Sequence, residues 1–371
     1  MTEYDFSNIK CSFFGLGLIG GSVALALKNS LPDITIQAVD KDENSLSAAL
    51  SEGIIAKGEA QLYPAFFDCD YLFLCAPVSE NDALLEQIAE KIKEGCILTD
   101  VGSVKNTTCK AIEKAGLQKH FIGGHPMAGS EKTGFQNASA GLLENAYYIL
   151  TPSPEVSDAA ADRFAALIRC CGVIPLIMSP EKHDYVTGGI SHLPHIISAA
   201  LVNFVKTHDD DAGLMKQVAA GGFRDITRIS SSSPQMWQAI CMTNTDVIIS
   251  MLTDYIRGLE EIKEKLTARD SEILYRFFDS AKEYRDSFQL ADAGPIKKAC
   301  ALFVDIPDVP GSIAQTATIL AEHDLSLKNI GIMNSREFQE GALRIEFYDE
   351  ATALQAADVL RDHNYKIFVR E

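Results

Sequence analysis

The run Gly15-Leu16-Gly17-Leu18-Ile19-Gly20 constrains the fold more than any other part of the chain. It follows a short apolar segment of strand character, Ile9 to Phe14, and opens an apolar segment of helical character, Leu18 to Lys28. A G-x-G-x-x-G run is weak alone, but between a strand and a helix it reads as a dinucleotide-binding turn. Gly15 permits the tight turn, Gly17 lets the backbone approach a pyrophosphate, and Gly20 lets helix and strand pack closely. The unpaired N–H groups at the helix start, around Leu18 and Ile19, then face the anion. A second strand, Ile34 to Val39, ends at Asp40. A carboxylate there accepts hydrogen bonds from a ribose 2′-hydroxyl and repels a 2′-phosphate, so NAD is the expected cofactor.

The alternation continues. Ser45 to Glu52, Asn81 to Glu94, Val104 to Ala115 and Val156 to Cys171 read as helices. Tyr71 to Cys75, Cys96 to Thr99, the neighbourhoods of Phe121 and Tyr147, and Val173 to Met178 read as strands. Strands alternating with helices predict βαβ units and a parallel sheet. From about Glu181 to Phe288 the pattern is helical. One helix is expected from Pro234 to about Thr267, apolar on much of its circumference at first, as the core of a homodimer would be. From Lys298 onward the order is βαββαβ, a ferredoxin-like arrangement. Its strands are Ala299 to Ile306, Ser326 to Met333, Gly341 to Tyr348 and Lys366 to Val369, and its helices Ser312 to Glu322 and Ala351 to Asp362. The expected class is therefore α/β, in three domains: a Rossmann-type domain over 1–180, an all-helical substrate and dimerisation domain over 181–290, and a ferredoxin-like domain over 299–371.

Charge removes whole classes of partner. The chain carries 33 Lys and Arg against 51 Asp and Glu, a net charge of -18, which disfavours nucleic acid and anionic membranes. No apolar run reaches the ~18 residues of a membrane span. The N-terminus lacks the basic-then-apolar pattern of a signal peptide, so a cytoplasmic location is expected. The nine Cys form no Cys-x-x-Cys pair and no zinc spacing, so they are read as reduced thiols, and no metal is expected.

Four further motifs carry chemistry. In Thr99-Asp100-Val101-Gly102-Ser103-Val104-Lys105, at the carboxyl end of a strand, Ser103 is placed to cap the next helix. In Gly123-Gly124-His125-Pro126-Met127-Ala128-Gly129-Ser130-Glu131, His125 sits in a tight loop on the rim that carries the glycine motif and Ser103. A histidine is the natural general base near neutrality. Ser191-His192-Leu193-Pro194-His195 places two imidazoles three residues apart. Gly221-Gly222-Phe223-Arg224-Asp225-Ile226-Thr227-Arg228, followed by Pro234-Gln235-Met236-Trp237, puts glycines ahead of two guanidinium forks suited to carboxylates. An ion pair with Asp225 is the alternative use of either Arg. The run His208-Asp209-Asp210-Asp211 is read as a solvated loop.

Together these motifs resemble the prephenate dehydrogenase family. The stretches GLGLIGGS, TDVGSVK, GGHPMAGSE, SPEKHDYVTGGISHLPH and AGGFRDITRI…SSSPQMW occur in that family's order and spacing. The tail PDVPGSIAQTATILAEHDLSLKNI resembles an ACT regulatory domain. The resemblance implies NAD-dependent oxidative decarboxylation of prephenate to 4-hydroxyphenylpyruvate, on the route to tyrosine. It implies His125 as the base and Ser103 as a partner of His125 or of the substrate hydroxyl, touching the nicotinamide end. Arg228 would hold a substrate carboxylate. His195, with Ser191 or His192, would meet the polar substituents, and Ser130, Glu131, Gly222 and Trp237 would line or close the pocket. Asp308, Gly311, Ser312, Asn329 and Ile330 would form an amino-acid site, with tyrosine the expected feedback effector. An arogenate dehydrogenase is the close alternative. A β-hydroxyacid dehydrogenase would rely on a catalytic Lys rather than a His loop. A non-catalytic sensor would not need His125, Ser103 and Arg228 together.

Overall fold

The computed structural model describes residues 4–76, 78–130, 132–291, 300–307, 309–333 and 342–368. They fall into two compact units, Met1–Glu260 and Glu261–Glu371.

The first unit opens with β1 (Lys10–Phe14), α1 (Leu18–Ser30), β2 (Thr35–Val39), α2 (Glu43–Ser51), β3 (Lys57–Glu59), β4 (Tyr71–Leu74), α3 (Val78–Ala89), β5 (Ile97–Asp100) and α4 (Asn106–Lys114). The five strands pair in parallel in the order β3-β2-β1-β4-β5. Every residue of β4 and β5 is buried, as a sheet covered on both faces requires. Phe13 and Phe73 stack across β1 and β4 with ring centroids 4.5 Å apart. Strand order reverses between β1 and β4, and open α/β sheets bind ligands at the carboxyl ends of strands at such a point.

β6 (Ile122–Pro126), β7 (Tyr147–Pro152), α5 (Asp158–Arg169) and β8 (Ile174–Ile177) follow. The three strands form a second sheet, joined to β5 through a parallel bridge between Leu98 and Phe121. That junction brings His125, near the end of β6, beside the carboxyl end of β5. The expected helix from Val104 begins only at Asn106. Ser103 does not cap it: Asp184, far along the chain, accepts the N–H groups of Lys105 at 2.7 Å and of Asn106 at 2.9 Å. A carboxylate takes two amides where a hydroxyl takes one, and its charge complements the helix dipole.

The helical layer comprises α6 (Pro180–Thr187), a π-helical turn over Gly188–His192, α7 (Leu193–His208), α8 (Leu214–Val218), α9 (Gly221–Thr227), α10 (Pro234–Thr243) and α11 (Thr245–Thr267). Two expectations need correction. The single helix from Pro234 is broken at Asn244, with φ -116° and ψ 31°. The Asn244 side chain donates to the Asp184 carbonyl at 2.9 Å and lies 3.0 Å from His192 Nδ1, so tertiary bonds override the local helical pattern. Residues 180–208 do form one helical stretch long and apolar enough to cross a membrane by length and composition. It nevertheless carries the fully buried His183 and Asp184, the latter bonded into the α/β layer.

In the second unit the end of α11 and α12 (Ser271–Ala291) precede β9 (Cys300–Asp305), α13 (Ser312–Glu322), β10 (Asn329–Met333), β11 (Ala342–Phe347), α14 (Glu350–Asp362) and β12 (Lys366–Phe368). The sheet order is β10-β11-β9-β12, antiparallel throughout, which is the ferredoxin-like order. Val304, Leu320, Leu343, Ile345, Phe347, Ala356 and Leu360 are its core. The expected strand ends at Ala299, Gly341 and Val369, and most of the stretch from Gln289 to Lys298 expected to link the second and third domains, lie outside the described residues.

A buried ion pair fastens the first unit internally. Lys105 Nζ meets Asp100, both side chains essentially without solvent. Lys105 Nζ also donates to the Gly124 carbonyl at 2.7 Å, and Asp100 accepts the N–H groups of Gly102 and Gly124, each at 3.0 Å. Removing one partner of such a pair strands the other charge. Lys105→Met should therefore lower unfolding free energy by about 3–5 kcal/mol in urea titrations. A loss under about 1 kcal/mol, as for a surface pair, would contradict this account.

Candidate active site

The cofactor side is built on backbone. Gly15 turns the chain at φ +100°, where an added Cβ would sit 2.8 Å from the Ala76 nitrogen after β4. A Cβ on Gly20 would clash with the Gly15 carbonyl. Among the described residues Gly17, the N-cap of α1, has no neighbour within 4 Å of a Cβ position, and no side chain caps the helix. Open space in front of uncapped amides, including those of Leu18 and Ile19, fits a pyrophosphate. Asp40 braces this loop: its carboxylate accepts the Leu16 N–H at 2.6 Å and the Asp42 N–H at 2.8 Å. The remaining lone pairs of Asp40 suit ribose hydroxyls, so the residues present fit NAD.

His125 is half-buried, and its ring partner is not Ser103. His125 Nδ1 lies 2.8 Å from His183 Nε2, and His183 Nδ1 lies 2.8 Å from Asp184 Oδ1. No hydrogen bond joins Ser103 to His125 among the described residues; Ser103 is half-buried on the loop before Lys105. Of the two partners expected for Ser103, the bond to His125 is not found, and a buried imidazole 58 residues on occupies His125 Nδ1. Burial pushes the His125 imidazole well below its usual 6.5, and the neighbouring basic groups His183, Lys105 and His192 further oppose a positive charge on it. Burial alone would raise the Asp184 carboxyl. The hydrogen bond from His183 and the amides of Lys105 and Asn106 outweigh it and hold Asp184 ionised, below its usual value.

The helical layer supplies a second group of residues. His195 Nδ1 bonds the Ser191 carbonyl at 2.8 Å, and its ring stacks on Trp237 with centroids 3.6 Å apart. Nδ1 is thereby fixed as the donor and Nε2 is left as an acceptor. Burial lowers the His195 pKa, the Ser191 carbonyl opposes that, and the charge of Arg228 lowers it further, which sets Arg228 nearby. Neither Arg224 nor Arg228 makes an ion pair among the described residues, so the expected alternative with Asp225 is not the arrangement found. Among the described residues the Trp237 indole N–H is buried without a partner. Gly222 lies exposed in α9, and Ser130 is exposed with its hydroxyl accepting the Lys132 amide at 3.3 Å.

His192 needs correction as a substrate contact. It is 1% exposed and held by Asn244, and burial drops its pKa to about 4. It lies buried at the end of the π-helical turn, whereas His195, in the first turn of α7, is half-buried. Glu131 and Asp308 lie outside the described residues. Gly311 turns into α13 at φ +98°, with Ser312 buried, Asn329 exposed and Ile330 half-buried on the neighbouring strand.

His183, Asp184 and Asn244 are functional neighbours that motif reading missed. The adjacent His-Asp in SPEKHDYVTGG was the available signal, but nothing local ties it to His125.

Comparison with known proteins agrees with this architecture. The family of prephenate dehydrogenase nucleotide-binding domains matches residues 23–173, and that of prephenate dehydrogenase dimerization domains matches residues 179–280. Prephenate dehydrogenase of Bacillus subtilis is 39% identical over 338 residues, 91% of each chain. The structure of Aquifex aeolicus prephenate dehydrogenase with hydroxyphenyl propionate and NAD+ superposes at a TM-score of 0.72. It is 30% identical and covers 77% of this chain and 100% of its own. Synechocystis arogenate dehydrogenase gives a TM-score of 0.68 at 26% identity, over 76% of this chain and 100% of its own. The chain belongs to the prephenate dehydrogenase family of NAD-dependent oxidoreductases.

Proposed function

We propose that this enzyme oxidatively decarboxylates prephenate to 4-hydroxyphenylpyruvate, with His125 as its general base. The observation that carries the reading is His125 itself: a neutral, half-buried imidazole beside the carboxyl end of β5, between the dinucleotide turn and the helical layer. NAD, when bound, supplies the hydride acceptor. Gly15, Gly17, Leu18, Ile19, Gly20 and Asp40 would hold it, with Ser103 at its nicotinamide end.

The residues act on a ring that bears a 4-hydroxyl and, opposite it, a carbon carrying a carboxylate and a pyruvyl arm. His125 Nε2 accepts the hydroxyl proton as the carbon beneath it is oxidised. Loss of carbon dioxide leaves a phenolate, and His125 returns the proton to that oxygen. The base thus ends as it began, and aromatisation drives the step. Arg228 pairs with a substrate carboxylate against the chain's net negative field. His195 Nε2 and the free Trp237 N–H meet the polar arm, with Ser191 holding His195 in orientation. Ser130, Glu131 and Gly222 belong to the rim.

Arogenate, with an amino group for the keto group, would use the same machinery, and the Synechocystis relative is named for it. NADH formation should be far faster with prephenate than with arogenate. His125→Asn should cut kcat by on the order of 100-fold or more with NAD binding retained, and Arg228→Ala should raise KM for the substrate. Turnover of arogenate alone would move the substrate assignment, and full activity of His125→Asn would remove the base. A base acts in its neutral form, and His125 is held neutral below its usual range. Hence kcat/KM should stay flat from neutral pH down to about 6.5 and fall only below it. A midpoint at or above 6.5 would contradict the burial argument.

Three coarser features belong to the same reading. Large apolar side chains of the helical layer are exposed on this chain, including Phe204, Val218, Ile226, Met242, Ile249 and Ile256, which fits a homodimer built on that layer. The ferredoxin-like sheet fits an ACT domain, with Asp308, Gly311, Ser312, Asn329 and Ile330 as an amino-acid site. Tyrosine is the expected effector: micromolar to millimolar tyrosine should inhibit the full-length enzyme, and an unchanged rate would leave that domain a structural role. A cytoplasmic location accords with this substrate and cofactor.

A further inference from the structure

The donors and acceptors around His125 determine which of its nitrogens is free. Asp184 is an acceptor only, ionised and buried, and its two oxygens already take the Lys105 and Asn106 amides. His183 Nδ1, 2.8 Å from Asp184 Oδ1, must therefore carry the hydrogen. A neutral His183 protonated on Nδ1 presents Nε2 as an acceptor, so His125 Nδ1, 2.8 Å away, must donate. That leaves His125 Nε2 unprotonated. Beyond His125 the chain of bonds is shut from solvent: His183 and Asp184 are both fully buried, and Thr187 and Asn244 hold the backbone carbonyls of this turn.

Resting on the reading of His125 as the base, we propose that His183 and Asp184 are positioning residues that lock His125 in the Nδ1–H tautomer. In this role they aim Nε2 at the substrate hydroxyl and hold the proton within the protein until it returns. When Nε2 gains the substrate proton, His125 becomes an imidazolium whose Nδ1–H points at His183 Nε2. That proton can cross to His183, leaving His125 neutral and placing the positive charge one ring nearer the Asp184 carboxylate. No proton is gained or lost in the shift, and the reverse shift restores His125 as it gives the proton to the phenolate. Burial of Asp184 makes the arrangement a closed store rather than an exit to solvent. Lys105, His183, His192 and, through His183, Asp184 are the charged or titratable groups that face His125 here.

The test compares two variants of the full chain. In His183→Asn the amide occupies the position of Nδ1, keeping the Asp184 contact and losing the acceptor for His125. In His183→Gln the amide oxygen can occupy the position of Nε2 and accept from His125 Nδ1. With prephenate, His183→Asn should lose on the order of 100-fold in kcat, with KM and NAD affinity changed less than about three-fold. His183→Gln should recover at least tenfold of that loss. Equal impairment of both variants, or kcat within about two-fold of the parent in His183→Asn, would overturn the proposal. Should the variants fail to fold, the parent protein labelled with nitrogen-15 histidine decides: His125 must show the Nδ1–H tautomer, and the Nε2–H tautomer would overturn the proposal. If the parent itself turns over neither prephenate nor arogenate, the reading of the reaction fails, while the tautomer remains separately measurable.

Discussion

The site depends on the burial of Lys105 against Asp100. Both groups lie in the interior, where an unpaired charge is costly and a paired one needs its remaining bonds satisfied. The backbone meets that demand. Gly124 gives its carbonyl to Lys105 and its N–H to Asp100, and Gly102 gives its N–H to Asp100. One ion pair thereby couples the end of β5, the loop bearing Ser103 and the strand bearing His125. The same lysine's backbone N–H goes to Asp184, so the helical layer joins the knot. Three separated stretches of sequence, residues 100–105, the strand at Gly124 and the helix at Asp184, converge on Lys105 through its ammonium and its backbone N–H.

What the sequence made legible follows from how local each signal is. The glycine turn, Asp40 and the βαβ alternation are local signals, and β1, α1 and β2 follow them closely. The βαββαβ order of the tail was equally plain, because strand and helix periodicities need no long-range information. Ser103 as a cap and Ser103 as the partner of His125 were local guesses that lost to distant groups. Asp184 took the cap, and His183 took the imidazole. Asn244 interrupts a pattern that is helical on both sides, because its side chain is needed by Asp184 and His192. Each miss has one cause: a polar group from far along the chain, buried and obliged to find partners, outbid a local preference.

The helical layer shows the complementary effect. Its periodicity leads to the expectation of a homodimer core from Pro234 onward, and many large apolar residues of the layer lie exposed on the single chain. Surface of that extent is expensive to leave in water, so the layer has the composition of an interface. By contrast, the layer buries hydrogen-bonded polar groups at its junction with the α/β layer. His183, Asp184 and His192 face inward, while His195, stacked on Trp237, keeps Nε2 free. A π-helical turn separates the two uses of neighbouring histidines, a local irregularity of the kind that collects at functional sites.

The central claim is that the knot around Lys105 holds the imidazole of His125 where the substrate hydroxyl arrives. The most direct measurement is a crystal structure of His125→Asn with NAD and prephenate bound, a complex slowed enough to be captured. The account predicts the 4-hydroxyl within about 3.2 Å of the side chain at position 125. It also predicts Arg228 on a substrate carboxylate and Lys105 still joined to Asp100 and Gly124. A substrate bound with its hydroxyl turned away from position 125 would contradict it.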